Sequence, residues 1–459
     1  MLLGLSITRR LLLALSLSSK AATTTTSMTS SMPCERMIRV ILHGGDNMLG
    51  RAVQLTFPVQ APGEELIRDS CSARYYLDKA LHSDFAIDEI RKQNQNQGSY
   101  LWDKSRFNMN PAPDLCLLNL ETAVTKSISN NDIPRYKGIN YHMHVDNFET
   151  IMSGFPFKDI PVVLCYANNH SMDYGRIAFE KETLPFFRKT NLVRMVGCGN
   201  NIREASKPVL VPIKDVTCEI FAVAAGCSGT PRDWWASESQ SGLVGLPPLV
   251  NERNIDEAID IVQNIVSPKS SQRDNRIRIL SIHWGPNWAL KHESSEEIQA
   301  RRKFAHRLID ECGIDLIYGH SSHHIRGLER YKGKLIMYGA GDIINDYEGF
   351  ENVGEEKYNR LGGVFVVDLS SSGDLRQLQI VPMLMNQLRL ERVSKTSKRW
   401  DPNKGQYEQN EHLSHNLSTF INGLSKVDAG GEERSLILQH KDSDEDISGG
   451  LLLYSDCFH

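Results

Sequence analysis

The chain has 459 residues, with 52 Lys+Arg against 56 Asp+Glu (net charge −4), 40% hydrophobic and 24% charged residues. That composition supplies a sizeable core and excludes global disorder, and the lack of a basic excess excludes a dedicated nucleic-acid binder. No run of about 18 apolar residues occurs, so no transmembrane helix is expected.

Residues 1–36 stand apart. Arg9, Arg10 and Lys20 precede a Ser/Thr-rich run at 23–31, and the first acidic residue is Glu35. This targeting-like or disordered segment resembles an organelle transit peptide, mitochondrial or plastid. The apolar stretch 11–17 behind two arginines is the rival pattern of a secretory signal. A plain extension upstream of a start at Met28, Met32 or Met37 is the third reading and leaves a cytoplasmic location open.

Apolar runs of strand length follow at 38–42, 115–118, 160–166, 220–225, 277–282, 314–318, 335–338, 364–369 and 378–382. Val, Ile and Leu dominate them, as strands buried on both faces require. Helical periodicity lies between them at 64–81, 177–189, 255–266 and 296–312. The alternation predicts an α/β fold, with two mixed sheets sandwiched between helices. Residues 93–113 and 226–251 read as long loops. Beyond about 392 the pattern fades into a polar tail, basic at 395–404 and acidic at 441–446, expected to be largely disordered. The organisation is therefore an N-terminal segment 1–36, a domain 37–392 and a tail 393–459.

Most of these strands run into a polar cluster. The clusters are His43-Gly44-Gly45-Asp46, Asn119-Leu120-Glu121, Ala167-Asn168-Asn169-His170, His283-Trp284-Gly285, Gly319-His320-Ser321-Ser322-His323-His324 and Gly339-Ala340-Gly341-Asp342. Open α/β sheets bind ligands beyond the carboxyl ends of their strands, so these clusters are expected to converge. Asp, Glu, Asn and His form a mixed nitrogen and oxygen donor set, suited to Zn²⁺, Mn²⁺ or Fe²⁺ rather than Ca²⁺ or Mg²⁺. One bridging carboxylate with separate ligands on either side is what a two-metal site needs, and such a site activates water and neutralises charge on a phosphoryl group.

Six motifs in order carry a family resemblance. They are Gly45-Asp46-Asn47-Met48-Leu49-Gly50-Arg51; Asn119-Leu120-Glu121; Ala167 through Gly175; Gly197-Cys198-Gly199-Asn200-Asn201 with Glu204, Ala205 and Pro208; His283-Trp284-Gly285; and Gly319-His320-x-x-His323 followed by Gly327, Glu329, Tyr331 and Gly333. The chain resembles the poly-γ-glutamate capsule-synthesis (CapA) family, whose domain resembles calcineurin-like metallophosphoesterases, over about residues 38–390. The resemblance implies two divalent metal ions (Mn, Fe or Zn). Asp46 and His323 would be first-metal ligands, Glu121 the bridging carboxylate, and Asn169, His283 and His320 second-metal ligands. It implies that His170 aids departure of a leaving oxygen, with Asn168 and Asp173 orienting it or the ligands. Arg51, Trp284 and His144 are the candidate substrate contacts, with a salt bridge the rival for Arg51 and an ordinary surface histidine the rival for His144.

Three departures fall where substrate is expected: Ser321-Ser322 replaces a family His-Pro, Pro286-Asn287 replaces a Glu position, and His142-Met143-His144 replaces a Phe-Arg pair. The resemblance implies a role in capsule-like polymer synthesis on a phosphorylated or polymer-precursor substrate, beside an ATP-dependent amide ligase, or metal-dependent phosphoester hydrolysis. No Gly-Lys-Ser/Thr phosphate loop occurs, so the chain is not itself expected to be the ligase. The alternative is a non-catalytic metal-binding accessory or scaffold protein.

Overall fold

The computed structural model describes residues 37–66, 71–81, 87–106, 108–128, 132–266, 275–287, 293–348, 361–393, 398–401, 406–409, 413–431, 433–442 and 451–456. The targeting-like segment 1–36 lies outside the described residues.

Among the described residues, seventeen strands build two large mixed sheets. In chain order they are β1 (Ile38–Asn47), β2 (Leu115–Leu120), β3 (Val162–Cys165), β4 (Arg194–Val196), β5 (Val209–Ile213), β6 (Val216–Ala225), β7 (Gly245–Leu246), β8 (Arg276–His283), β9 (Leu316–His320), β10 (Leu328–Tyr331), β11 (Lys334–Met337), β12 (Asp342–Ile344), β13 (Leu361–Leu369), β14 (Leu375–Asn386), β15 (Arg389–Arg392), β16 (Gln439–Asp442) and β17 (Leu451–Asp456). The 10-stranded sheet runs β16-β17-β14-β13-β1-β2-β3-β4, with β12 beside β1 and β15 beside β14. The 7-stranded sheet runs β7-β6-β8-β9-β11-β10, with β5 beside β6.

Alternation along each strand makes the sandwich. Val40 and Leu42 of β1, with Leu115, Leu117 and Val163, point into the core shared with Ile220, Ile279, Leu316 and Met337 of the second sheet. Ile41, Cys116, Leu118 and Leu164 point the other way, into a core closed by helices, including that at Val145–Gly154. Both faces are buried, which is why these strands read as unbroken apolar runs. On the outer face of the second sheet, Val223, Leu280, Ile282 and Ile317 pack beneath helices α1 (Glu252–Ile265) and α2 (Ser295–Asp310). Local chemistry sets the start of both of these helices. Asn251 caps α1 by accepting from Asn254 N (3.0 Å), and Ser294 and Glu297 form a reciprocal capping box on α2.

The tail adds ordered structure to this frame. Helix α3 (Leu413–Ala429) buries Leu417 and Ile421 in the core between the sheets, and Leu436 and Leu438 join them. Leu417 and Ile421 stand four apart in a polar background, so composition hides the apolar stripe that periodicity carries.

Candidate metal centre

The carboxyl ends of β1, β2 and β3 in one sheet meet those of β8 and β9 in the other. Register does the positioning: Asp46 stands opposite Asn119 of β2 and Asp342 of β12, and His283 of β8 stands opposite His320 of β9. A bulge between Leu42 and Asp46 turns β1 toward the site. Gly45 makes the turn feasible, because a Cβ there would lie 2.4 Å from Gly341 O, the carbonyl that accepts from both Gly45 N and Asp46 N.

Asp46 is fully buried. Its Oδ1 accepts from Asn119 Nδ2 (2.7 Å) and its Oδ2 from Ser321 N (2.9 Å). Around it stand His283 Nδ1 (3.6 Å), His320 Nδ1 (3.8 Å) and His323 Nδ1 (4.0 Å). His283 Nδ1 lies 2.8 Å from His320 Nδ1, and its Nε2 lies 2.9 Å from Asn169 Oδ1 and 3.6 Å from Glu121 Oε1. Two groups of potential ligand atoms result among the described residues: Asp46, His283 and His320; and Asp46, Glu121, His323 and Asp342. The carboxylate common to both is Asp46, whereas the family resemblance gave the bridging role to Glu121.

The electrostatics are those of a site short of positive charge. Glu121 is fully buried, and neither of its carboxylate oxygens has a hydrogen-bond partner among the described residues. Burial, then the charges of Asp46 and Asp342, push its carboxyl well above the usual range. The same two causes, burial and then Asp342, raise Asp46 to about 7. Burial drives His283 far down and His320 to about 3, leaving neutral rings whose lone pairs suit a cation. Burial pulls His323 down, but Asp342, whose Oδ1 lies 2.9 Å from its Nδ1, raises it above the ordinary imidazole value, so His283 and His320 are the neutral rings of the group. A group of buried acids and neutral imidazoles, with an orphaned carboxylate among them, fits divalent metal ions of the Mn, Fe or Zn class.

Beside this centre, His170 Nε2 faces Glu121 Oε1 at 3.9 Å. Its other nitrogen lies 2.6 Å from Asp173 Oδ2 and 2.9 Å from Lys137 Nζ, and Lys137 pairs with Asp173. Tyr141 stacks on the imidazole with centroids 4.0 Å apart and gives its N–H to Asp173. Asn168 fixes the turn, accepting from His170 N (3.0 Å) and donating to Asn119 Oδ1 (3.1 Å). Burial lowers His170 to about 4 against the opposing pull of Asp173.

The three candidate substrate contacts lie elsewhere. Trp284 is buried in the outer core, donating to Tyr338 O (2.9 Å); adjacent strand residues face apart, so His283 takes the site and Trp284 the core. His144 is the N-cap of the helix Val145–Gly154, accepting from Asp146 N. Arg51 is buried in a pair with Asp346, its guanidinium 3.8 Å from the Tyr76 ring centroid and 4.7 Å from that of Tyr141. It thus backs the site through Tyr141. Asp342 stood in one of the clusters expected to converge but had no ligand role assigned, and Lys137 was not singled out. Asp342 carried a signal, the Gly-Asp end of an apolar run; Lys137 lies in a loop without periodicity and carried none.

A family model described as "Bacterial capsule synthesis protein PGA_cap" matches residues 40–347. The chain is 32% identical over 367 residues to the "probable polyglutamine synthesis accessory protein" of Mycobacterium tuberculosis, covering 78% of this chain and 88% of that protein. It is 27% identical over 237 residues to the PGA biosynthesis protein CapA of Bacillus subtilis, covering 51% and 54% respectively. The corresponding figures for the capsule biosynthesis protein CapA of Bacillus anthracis are 28% over 188 residues, and 40% of each chain.

Proposed function

Since this chain belongs to the bacterial capsule synthesis protein family, we propose that it serves polyglutamate-type polymer synthesis as an accessory protein and does so through two divalent metal ions, Mn, Fe or Zn, held at the carboxyl ends of the two sheets. The observation that carries the metal reading is Glu121. A carboxylate with both oxygens buried and unpartnered is costly, and it stands within one cluster of Asp46, His283, His323 and Asp342.

Asp46, His283 and His320, with Asn169 at their edge, would hold one ion; Asp46, Glu121, His323 and Asp342 would hold the other. Bound there, such a pair supplies Lewis acidity for attack of water on a phosphorus centre. The chain's own residues supply the geometry. Asp173, Lys137, Tyr141 and Asn168 hold His170 with its Nε2 edge toward Glu121, where it would meet the leaving oxygen of a bound phosphoester. The substrate in this reading is a phosphorylated precursor, of the kind an ATP-dependent amide ligase makes when it activates a carboxylate. The second reading, metal binding without turnover, is favoured by the closure of the site, since the candidate ligands Asp46, Glu121, His283, His320 and His323 are all nearly inaccessible.

The test is elemental analysis of the purified chain, followed by a phosphoester panel with Mn²⁺. We expect about two ions per chain and a turnover that falls at least ~10²-fold in His170→Ala with the metal retained. Metal-replete protein inert on the panel would establish the second reading, metal binding without turnover. No bound metal after reconstitution with Mn²⁺, Fe²⁺ and Zn²⁺ would refute both.

A further inference from the structure

The loop that carries His320 and His323 is strained. Ser321 and His323 both adopt positive φ, +98° and +60°, a region that non-glycine residues enter only when their surroundings impose it. On one side the imposing contacts come from within the family-matched region: Asp46 Oδ2 accepts from Ser321 N, and Gly285 O accepts from Ser321 Oγ (3.0 Å). On the other side Arg326 N donates to Gly339 O (2.8 Å) and Tyr338 N to Gly327 O (3.1 Å), and further contacts come from α3, beyond residue 347, where the family match ends.

Asp428, near the carboxyl end of α3, is almost wholly buried. Its Oδ1 accepts from Arg326 Nη2 (2.8 Å) and its Oδ2 from Gly327 N (2.8 Å), three and four residues past His323. Ser425 Oγ accepts from Leu328 N (2.9 Å), and the Phe420 ring meets His324 edge-on with centroids 6.0 Å apart. The helix comes this close only over a glycine: a Cβ on Gly327 would lie 2.7 Å from both Leu424 O and Asp428 Cβ. Arg326 also binds Glu293 (2.6 Å), so Asp428 and Glu293 together neutralise the buried pair Arg301 and Arg326. One carboxylate on α3 therefore grips the downstream end of the strained loop by its backbone and by its arginine.

We infer that Asp428 is a positioning residue for the metal centre: through Arg326 and Gly327 it holds the His320–His323 loop in its strained form, so that the C-terminal helix completes the site although it contributes no ligand. The inference rests on the metal reading above for its consequence, and on the loop alone for its geometry, so the two are separable by experiment.

The full-length chain is compared with Asp428→Asn and Asp428→Glu by amide hydrogen exchange of the peptide spanning residues 319–327 and by Mn²⁺ titration, well below the unfolding temperature. Asp428→Asn keeps the shape and removes the charge. Exchange in that peptide is expected to rise, and Mn²⁺ affinity to fall, by about tenfold each, with partial recovery in Asp428→Glu. Loss of thermal stability with unchanged exchange at 319–327 and unchanged Mn²⁺ affinity overturns the inference, because α3 is then mere packing. Wild-type protein that binds no Mn²⁺ overturns the metal reading, and loop exchange still decides the positioning. Should Asp428→Asn not fold, Ser425→Ala, which removes the acceptor of Leu328 N–H together with the bond from Ser425 Oγ to Ile421 O within the helix, reads the same loop, and unchanged exchange there is likewise decisive against.

Discussion

Glu121 and Asp46 show at the scale of single residues what burial does to charge. Asp46 moves from an ordinary 3.8 to about 7, so the folded, metal-free chain keeps a proton that the unfolded chain releases near pH 4. The native state then binds more protons than the unfolded one, and the contribution of this group to stability falls as pH rises from about 4 to 7. A divalent ion bound as proposed would have to displace that proton. Mn²⁺ affinity should therefore climb between about pH 5 and 7 and level off above, with protons released on binding. Calorimetric titrations in buffers of different ionisation enthalpy measure both, and a pH-independent affinity with no proton release would remove Asp46 from the ligand set. Glu121→Gln keeps the volume and removes the charge, so bound metal should drop from about two ions to about one per chain, read by elemental analysis. Retention of both would leave the orphaned oxygens unexplained.

At the scale of elements, two glycine-rich or polar motifs have separate jobs that substitution should distinguish. Gly45 lies at the bulge of β1 against Gly341 O, and a methyl group there forces β1 and the Gly341 turn apart. Gly45→Ala should cost about 1–3 kcal/mol of stability and weaken metal binding as well, since Asp46 is the next residue. Ser294→Ala removes the cap of α2 on the outer face of the second sheet. It should cost about 1 kcal/mol in urea unfolding and leave metal content untouched. If both variants lost metal equally, the site would be reporting general stability rather than local geometry.

Across the whole molecule, the centre ties two sheets together: β1, β2 and β3 belong to one, β8 and β9 to the other. A ligand bound across such a seam stabilises the folded state by mass action, about 2.7 kcal/mol when free metal is a hundredfold above the dissociation constant. Stripping with EDTA should therefore lower the melting temperature, and Mn²⁺ should restore it; a scan indifferent to both would speak against the seam being bridged. Among the described residues no helix is long and apolar enough to cross a membrane.

Much of this was readable without coordinates. Apolar runs of Val, Ile and Leu mark strands because strands covered on both faces have no polar side to show, and the polar clusters that end them are where an α/β sheet puts its chemistry. Asp46, Glu121, Asn169, His170, His283, His320 and His323 each fall in a polar cluster that follows such a run. The sequence leads to the expectation that these ends converge, but not to the register and distances at which they do. Asp342 joins the cluster only because β12 pairs with β1, and Lys137 reaches His170 only because a loop of no local pattern folds over it. The grip of Asp428 on the His323 loop is likewise a long-range contact, made by a helix whose polar composition reads as tail. Local pattern follows from side-chain periodicity, which neighbours in sequence carry. Convergence, burial and the pKa shifts they cause depend on strand order and register, which only the packed chain decides.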